Sequence, residues 1–142
     1  MSGMTAQFAA NKFAHFGLNA EAVTDVQFQA MRAAQLGPKD VFLGFSRSGN
    51  ASDIIEATLI AKEQGAVTIG VTNKMHSYFA KTIDILLSSI SKDTRFRDDL
   101  LASRTEHLVV IDILYTMLAV RNPKRAAKHK KKLWDSVLGK QF

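Results

Sequence analysis

Short apolar runs alternate with amphipathic segments along most of the chain. Two compact runs, Val41–Phe45 and Val67–Val71, are bounded by turn residues, as is typical of strands buried on both faces of a sheet. Residues 83–87 are a third candidate strand, and residues 20–24 are a weaker candidate near an edge. Strands that alternate with helices predict an α/β fold with a mainly parallel sheet.

Helical patterns cover four segments around these runs: residues 4–16, 28–35, 53–64 and 104–120. Gly65 is suited to end the third of these helices. Pro123 is suited to the first turn of a last, basic helix over residues 123–142. In that helix the lysines are expected to face water while five apolar side chains pack: Ala126, Leu133, Trp134, Val137 and Leu138.

The length of 142 residues predicts a single domain that spans residues 1–142. The absence of cysteine excludes disulfide scaffolds, cysteine-ligated zinc and thiol nucleophiles. The most apolar stretch, residues 108–120, is shorter than the roughly 20 residues that cross a bilayer, and the first ten residues show no signal-peptide pattern. A soluble, cytoplasmic protein is therefore expected.

The net charge of +6 belongs to the end of the chain. Residues 121–142 carry eight lysines and arginines against one acidic residue, and the preceding 120 residues have a net charge of −1. The basic run at 128–132 has no interleaved aromatic residues, so a solvated helix face is favoured over a nucleic-acid module, which stays an alternative.

Candidate chemistry lies in residues 46–53, between a predicted strand and a predicted helix. Ser46, Ser48 and Ser52 supply hydroxyls, and Gly49 lets the backbone approach an anion closely. Backbone N–H groups at the start of the next helix also attract anions, so the segment suits a phosphate. No Walker or Gly-x-Gly-x-x-Gly pattern supports a nucleotide. By composition alone, an ordinary capped turn is the favoured alternative.

The order of residues resembles the sugar isomerase (SIS) domain, whose phosphate loop reads Ser-x-Ser-Gly-x-Thr. Residues 46–51 match this pattern, except that Ala51 replaces the threonine, and residues 61–66 match the Ala-Lys-x-x-Gly-Ala that ends the following helix. More narrowly, Ser-Arg-Ser-Gly in the loop and Ser103-Arg104 before a long apolar helix resemble the effector domain of RpiR-type transcriptional regulators. The resemblance covers residues 2–125.

The resemblance implies a doubly wound, three-layer α/β/α sandwich. The family's first strand and its N-terminal DNA-binding domain are expected to be absent from this chain. The resemblance implies a sugar-phosphate sensor that forms a homodimer or a higher homo-oligomer and contacts DNA only through that missing domain. The implied ligand is a phosphorylated hexose, hexosamine or N-acetylhexosamine. The implied phosphate-binding residues are Ser46, Ser48, Gly49 and Ser2, and the implied sugar-binding residues are Gln27 and Arg104.

A sugar-phosphate isomerase on the same domain is the main alternative. Such an enzyme needs a general base, and Glu106 and His107 are the best candidates. An exposed pair near the start of a helix is the favoured interpretation of these two residues, so no catalytic residue is expected. His15, His76 and His129 lack metal-ligand spacing, and neither a metal site nor a cofactor is expected.

Overall fold

The computed structural model describes residues 2–88 and 100–139, with the side chains of residues 100–104 excepted. These residues form an α/β fold with six helices and a three-stranded parallel sheet in the order β1-β2-β3. The strands are β1 (Val41–Phe45), β2 (Val67–Val71) and β3 (Ile85–Leu87). The helices are α1 (Ser2–Ala14), α2 (Val26–Ala33), α3 (Ser52–Glu63), α4 (Tyr78–Thr82), α5 (Leu100–Arg121) and α6 (Pro123–Leu138).

Helices cover both faces of the sheet. On one face, Ala9 of α1 and Ile111 of α5 pack with Phe45 and Val71 at the ends of β1 and β2. The opposite face buries a cluster built mainly of alanines from α2, α3 and the start of β2, against which Phe42 packs: Ala33, Ala57, Ala61 and Ala66. Adjacent strand residues point to opposite faces, so β1 contributes to both clusters. The predicted mainly parallel α/β fold is confirmed.

Two glycines bring α4 close to the sheet. Gly44 and Gly70 are paired across β1 and β2. A Cβ atom at either residue would lie 2.9 Å from the ring of Phe79, which is fully buried. Because neither glycine has a side chain, the sheet leaves room at this point for the Phe79 ring of α4. This contact holds the start of α4 beside the carboxyl ends of β1 and β2.

The predicted strand over residues 20–24 is wrong, because this segment pairs with no strand among the described residues. The Val23 carbonyl instead accepts a hydrogen bond from the Gln29 side chain at 3.2 Å, and the Thr24 methyl lies against Gly3. The third strand is shorter than predicted. Asp84 accepts hydrogen bonds from the Thr68 backbone and hydroxyl, so ladder pairing begins only at β3.

The last helix forms as predicted, but most of its apolar side chains do not pack against this chain. Leu133, Val137 and Leu138 are exposed, and Trp134 is 57% exposed, while Ala126 is half-buried. The helix is held at its start instead, where the Arg125 guanidinium donates to the carbonyls of Phe16 and Gly17 at 3.0 and 2.8 Å. Within the described ranges, no helix has the length and apolarity that crossing a membrane requires.

Candidate functional site

The loop of residues 46–51 joins the carboxyl end of β1 to α3. Ser46 is buried, and its N–H group donates to the Val71 carbonyl of the neighbouring strand at 3.0 Å. Its Oγ atom accepts a hydrogen bond from the Gly49 N–H at 3.0 Å. The exposed Ser48 Oγ accepts from the Asn50 N–H at 3.3 Å. The loop is therefore closed by its own serines, and each hydroxyl group keeps a hydrogen that it can donate.

Gly49 fixes the loop against α4. Its φ of +69° lies in the left-handed region, and a Cβ atom there would lie 2.2 Å from the Ser77 Oγ. The Gly49 carbonyl also accepts a hydrogen bond from the Phe79 N–H at 3.0 Å. Ser77 is the N-cap of α4 and accepts from the Ala80 N–H. A protein side chain, and not only an anion, therefore explains why this residue is glycine.

Helix α3 begins without a side-chain cap at Ala51. This residue has the extended backbone of an N-cap, but its methyl group accepts no hydrogen bond. The neighbouring Ser52 hydroxyl donates to the Asp53 carboxylate at 3.3 Å, so it does not replace a capping threonine. The first N–H groups of a helix need acceptors, and an anion is a suitable acceptor at this end.

A second polar cluster joins the end of β2 to α5. The His107 Nε2 atom lies 2.8 Å from Asn73 Oδ1, and the Asn73 amide donates to the Glu106 carboxylate. His107 is only 4% exposed and lies against the Phe45 ring. Burial lowers the pKa of His107, while the Glu106 charge acts in the opposite direction. The interpretation of Glu106 and His107 as an exposed pair near a helix start is therefore wrong.

Polar side chains follow all three strands at the same edge of the sheet. Ser46, Asn73 and Ser88 come after β1, β2 and β3, respectively. The Ser88 hydroxyl is buried and has no hydrogen-bond partner among the residues that the structure describes. The exposed cations Arg47 and Lys74 lie in the loops that follow β1 and β2. Parallel strands bring their carboxyl ends together, so this edge combines donors with positive charge.

An open cleft of about 510 Å³ begins at the loop and continues along α3. One loop residue, four residues of α3 and one residue of α4 line it: Asn50, Ser52, Ile55, Glu56, Leu59 and Tyr78. Across the described part of the chain, no group of three His, Asp or Glu side chains could hold a metal ion. The donors and positive charge of the polar edge suit an organic anion, whereas the cleft is lined mainly by apolar side chains and the Glu56 carboxylate.

Among the described residues, no hydrogen bond joins Ser2 or Gln27, two other predicted site residues, to the loop. Ser2 begins α1 and is half-buried. Gln27 is exposed in the first turn of α2, where its N–H donates to Asp25. Arg104 lies on α5, but its side chain is outside the described residues. Of the predicted site residues whose side chains the structure describes, Ser46, Ser48 and Gly49 are brought together.

Sequence reasoning missed three residues that shape the site. Ser77 supports Gly49, Asn73 links β2 to α5, and Thr72 is fully buried with its Oγ accepting from the Lys74 N–H. A polar Thr-Asn pair directly after the apolar run of β2 was the available signal for two of them. The signal for Ser77 was its capping position before a short apolar segment.

Comparisons with known proteins agree with this geometry. The SIS domain model matches residues 1–120. Over 137 residues the chain is 31% identical to an HTH-type transcriptional regulator of Haemophilus influenzae, covering 96% of this chain and 48% of that protein. Over 118 residues it is 40% identical to an HTH-type regulator of Caldanaerobacter subterraneus, covering 83% and 42%. The chain thus spans about half the length of these curated relatives.

Solved structures share the fold at lower identity. The NanR protein of Vibrio vulnificus, complexed with ManNAc-6P, matches with a TM-score of 0.86 at 19% identity, over 97% of this chain and 52% of that one. A candidate sugar-phosphate isomerase from Listeria monocytogenes matches with a TM-score of 0.72 at 21% identity, over 96% and 70%. Regulators and isomerases therefore both share this architecture. With a family model that covers most of its length, the chain belongs to the SIS domain family and is akin to the SIS domains of HTH-type regulators.

Proposed function

We propose that this chain binds a sugar phosphate and acts as the effector domain of a transcriptional regulator of carbohydrate metabolism. The observation that carries the proposal is the pre-formed loop of residues 46–51 in front of the uncapped α3 helix. A loop held by buried hydrogen bonds loses little conformational freedom when an anion binds. The SIS family and the regulator relatives support the same function.

The phosphate group would be bound at the start of α3. Ser46 and Ser48 both accept hydrogen bonds from loop N–H groups, so each hydroxyl hydrogen is free to be donated to a phosphate oxygen. Gly49 lets the loop backbone come close to the phosphate, and the positive charge of Arg47 favours binding of a dianion. Ser2 is proposed as a further donor from the first turn of α1.

The sugar would extend from the phosphate toward neighbouring elements, with Gln27 and Arg104 as proposed contacts. We favour a phosphorylated hexose, hexosamine or N-acetylhexosamine. The N-acetylated class is supported by the ManNAc-6P bound to the structurally similar NanR protein. This support concerns the class of ligand, because specificity within it depends on a few hydroxyl contacts.

Regulation would operate through a homodimer of this domain. A sugar phosphate alters the arrangement of two subunits only if it binds one arrangement more tightly than the other. Because the chain spans about half of each regulator relative, DNA would be contacted by a separate N-terminal domain.

The proposed setting is the cytoplasm, where sugar phosphates and DNA are both present. We also propose that the topology is three-layered and doubly wound. Residues 1–142 would form a single domain that ends in a basic helix.

A thermal-shift screen with phosphorylated hexoses, hexosamines and N-acetylhexosamines tests the proposal. Ligand at about a hundred times its Kd stabilises the fold by roughly 2.7 kcal/mol, which gives a clear shift. Each charge-assisted bond from Ser46 or Ser48 contributes about 1.5–3 kcal/mol, so Ser48→Ala should weaken binding about 10- to 150-fold. The Ser46→Ala/Ser48→Ala double variant should lose most of the shift, and inorganic phosphate should compete.

The control is Ser136→Ala. Ser136 is exposed on α6, where its hydroxyl donates to the Leu133 carbonyl, far along the chain from the loop. This variant should bind with unchanged affinity. Unchanged sugar-phosphate affinity in a folded Ser46→Ala/Ser48→Ala variant would exclude the loop from the site.

A sugar-phosphate isomerase is the second candidate function, because Glu106 and His107 lie at the site edge of the sheet. Asn73 already engages the Nε2 atom of His107, which argues against a base that exchanges protons with a substrate. Incubation with glucose, glucosamine and N-acetylmannosamine phosphates, followed by NMR, is expected to show no conversion. Turnover that disappears in Glu106→Gln would establish the isomerase instead.

A further inference from the structure

The hydrogen bonds around Asn73 determine which way its amide group points. An ionised carboxylate only accepts hydrogen bonds, so the Asn73 atom that faces the Glu106 carboxylate is the Nδ2 donor. The Asn73 Oδ1 atom then faces His107, 2.8 Å from Nε2. An oxygen acceptor requires a donor, so the His107 Nε2 atom carries a hydrogen. Hydrogen bonds therefore run in one direction, from His107 to Asn73 and from Asn73 to Glu106.

His107 is held rigidly in this arrangement. It is nearly fully buried, and its ring lies 6.1 Å from the Phe45 ring, centroid to centroid, in a tilted contact. Phe45 is itself buried and directly precedes Ser46 of the loop. A neutral imidazole suits this apolar environment, because burial lowers the pKa of His107. The histidine thus combines a packed ring with one directed donor.

Asn73 directly follows a residue that lies beside the loop. The preceding residue, Thr72, has its Oγ atom 3.4 Å from the point that a Cβ atom of Gly49 would occupy. Asn73 is half-buried, and the two bonds described use one of its two amide hydrogens and one of its two oxygen lone pairs. The remaining hydrogen and lone pair can be shared with a hydroxyl group, which itself both donates and accepts.

We propose that Asn73 contacts a sugar hydroxyl of the bound ligand and that His107 is a positioning residue that holds the Asn73 amide in the orientation for this contact. The inference rests on the proposed function, since it assigns the sugar part of the same site. The proposal assigns the phosphate and the sugar of the ligand to different residues. Residues 46–51 recognise the phosphate, and the pair of Asn73 and His107 selects for the sugar.

The experiment compares sugar phosphates with inorganic phosphate. Binding of glucose 6-phosphate, glucosamine 6-phosphate, N-acetylmannosamine 6-phosphate and inorganic phosphate is measured by calorimetry on the full chain. Asn73→Ala and His107→Leu should weaken the tightest of the three sugar phosphates about 5- to 30-fold, the factor for 1–2 kcal/mol. Affinity for inorganic phosphate should change less than about twofold, because the loop is untouched.

Two further measurements separate positioning from mere structural support. His107→Gln, whose amide N–H can replace the Nε2 donor, should recover most of the affinity that His107→Leu loses. Nitrogen NMR of the unliganded protein should show the Nε2–H tautomer of His107. If His107→Leu does not fold, Asn73→Ala and His107→Gln still decide the matter.

Each outcome has a distinct meaning. If the wild type binds inorganic phosphate but none of the three sugar phosphates, or binds none of the four, the proposed function and this inference both fail. If sugar phosphates bind and Asn73→Ala binds them as tightly as the wild type, this inference alone fails. An equal loss for inorganic phosphate, or an Nδ1–H tautomer, also overturns it.

Discussion

Gly49 connects the local sequence of the loop to a contact with a distant element. Its left-handed backbone lets the loop turn, and its missing Cβ leaves room for the Ser77 hydroxymethyl group. Both requirements exclude larger residues, and both are met before any anion binds. The loop is consequently a pre-formed feature of the fold, which is the condition for tight binding of a small ligand.

We predict that Gly49→Ala lowers both stability and sugar-phosphate affinity. The left-handed φ costs an L-residue about 1 kcal/mol, and contact with the Ser77 side chain forces a further shift, for a total loss of about 1–3 kcal/mol. Chemical denaturation measures the first effect and calorimetry the second. Gly37→Ala is the matched control, since its nearest neighbour would lie 3.8 Å away and its loss should stay below about 1 kcal/mol. Equal stability of both variants would contradict this account.

His107 should make the stability of the fold depend on pH. Its pKa is lowered in the folded state, so the unfolded chain binds a proton more readily. The contribution is fully present above the unfolded pKa of about 6.5 and is lost as the pH falls below that value. Denaturant unfolding between pH 7.5 and pH 5 should therefore show a steeper decline in stability for the wild type than for His107→Gln, which keeps His129 with its own lowered pKa. The two proteins share every other titratable group, so parallel pH profiles would refute the assignment.

The residues of the site differ in how far sequence alone could identify them. Ser46, Ser48 and Gly49 are close together in sequence, so their spacing after an apolar run was enough. His107 contacts Asn73 across 34 residues, and no local pattern encodes that distance. Its burial also depends on Phe45, a residue of a third element. The part of the site that requires tertiary contacts was therefore not predictable.

At the scale of elements, strong periodic segments were predicted well and short ones were not. Strands β1 and β2 agree at both ends, because each is a compact apolar run between turn residues. Helix α4 was missed, since its five residues show no period and it is stabilised by the Ser77 cap and the buried Phe79 ring. The segment at 20–24 was apolar enough for a strand, but within the described ranges no strand pairs with it.

Helix α5 is apolar on more than the face that packs against the sheet. Ile111 is fully buried, and Leu108 and Val110 pack beside the same cluster. On another side, four residues spaced by four, four and three form a stripe and are each more than half exposed: Val109, Ile113, Met117 and Val120. Such spacing places them on one helix face. A helix with two apolar faces is typical of one that is buried on both sides.

For the whole molecule, this stripe predicts a homodimer. Met4 on α1 and Trp134 on α6 are also exposed, and both helices pack against α5. Exposed apolar surface that forms a stripe along a helix marks a contact site, and a two-fold arrangement would bury the stripe of each copy against the other. The wild type should therefore sediment as a dimer at tens of micromolar, on the order of ordinary interface affinities.

The double variant Ile113→Glu/Met117→Glu tests this interface, because it would bury four unpaired carboxylates in a two-fold dimer. It should sediment as a folded monomer at the same concentration, since each buried charge without a partner costs several kcal/mol. Met31→Glu is the matched control, as Met31 is equally exposed on α2, across the sheet from the stripe, and its variant should stay dimeric. A monomeric wild type would refute the dimer. A dimeric Ile113→Glu/Met117→Glu variant would place the interface on another surface. Helix α5 would then not connect the ligand site to the partner subunit.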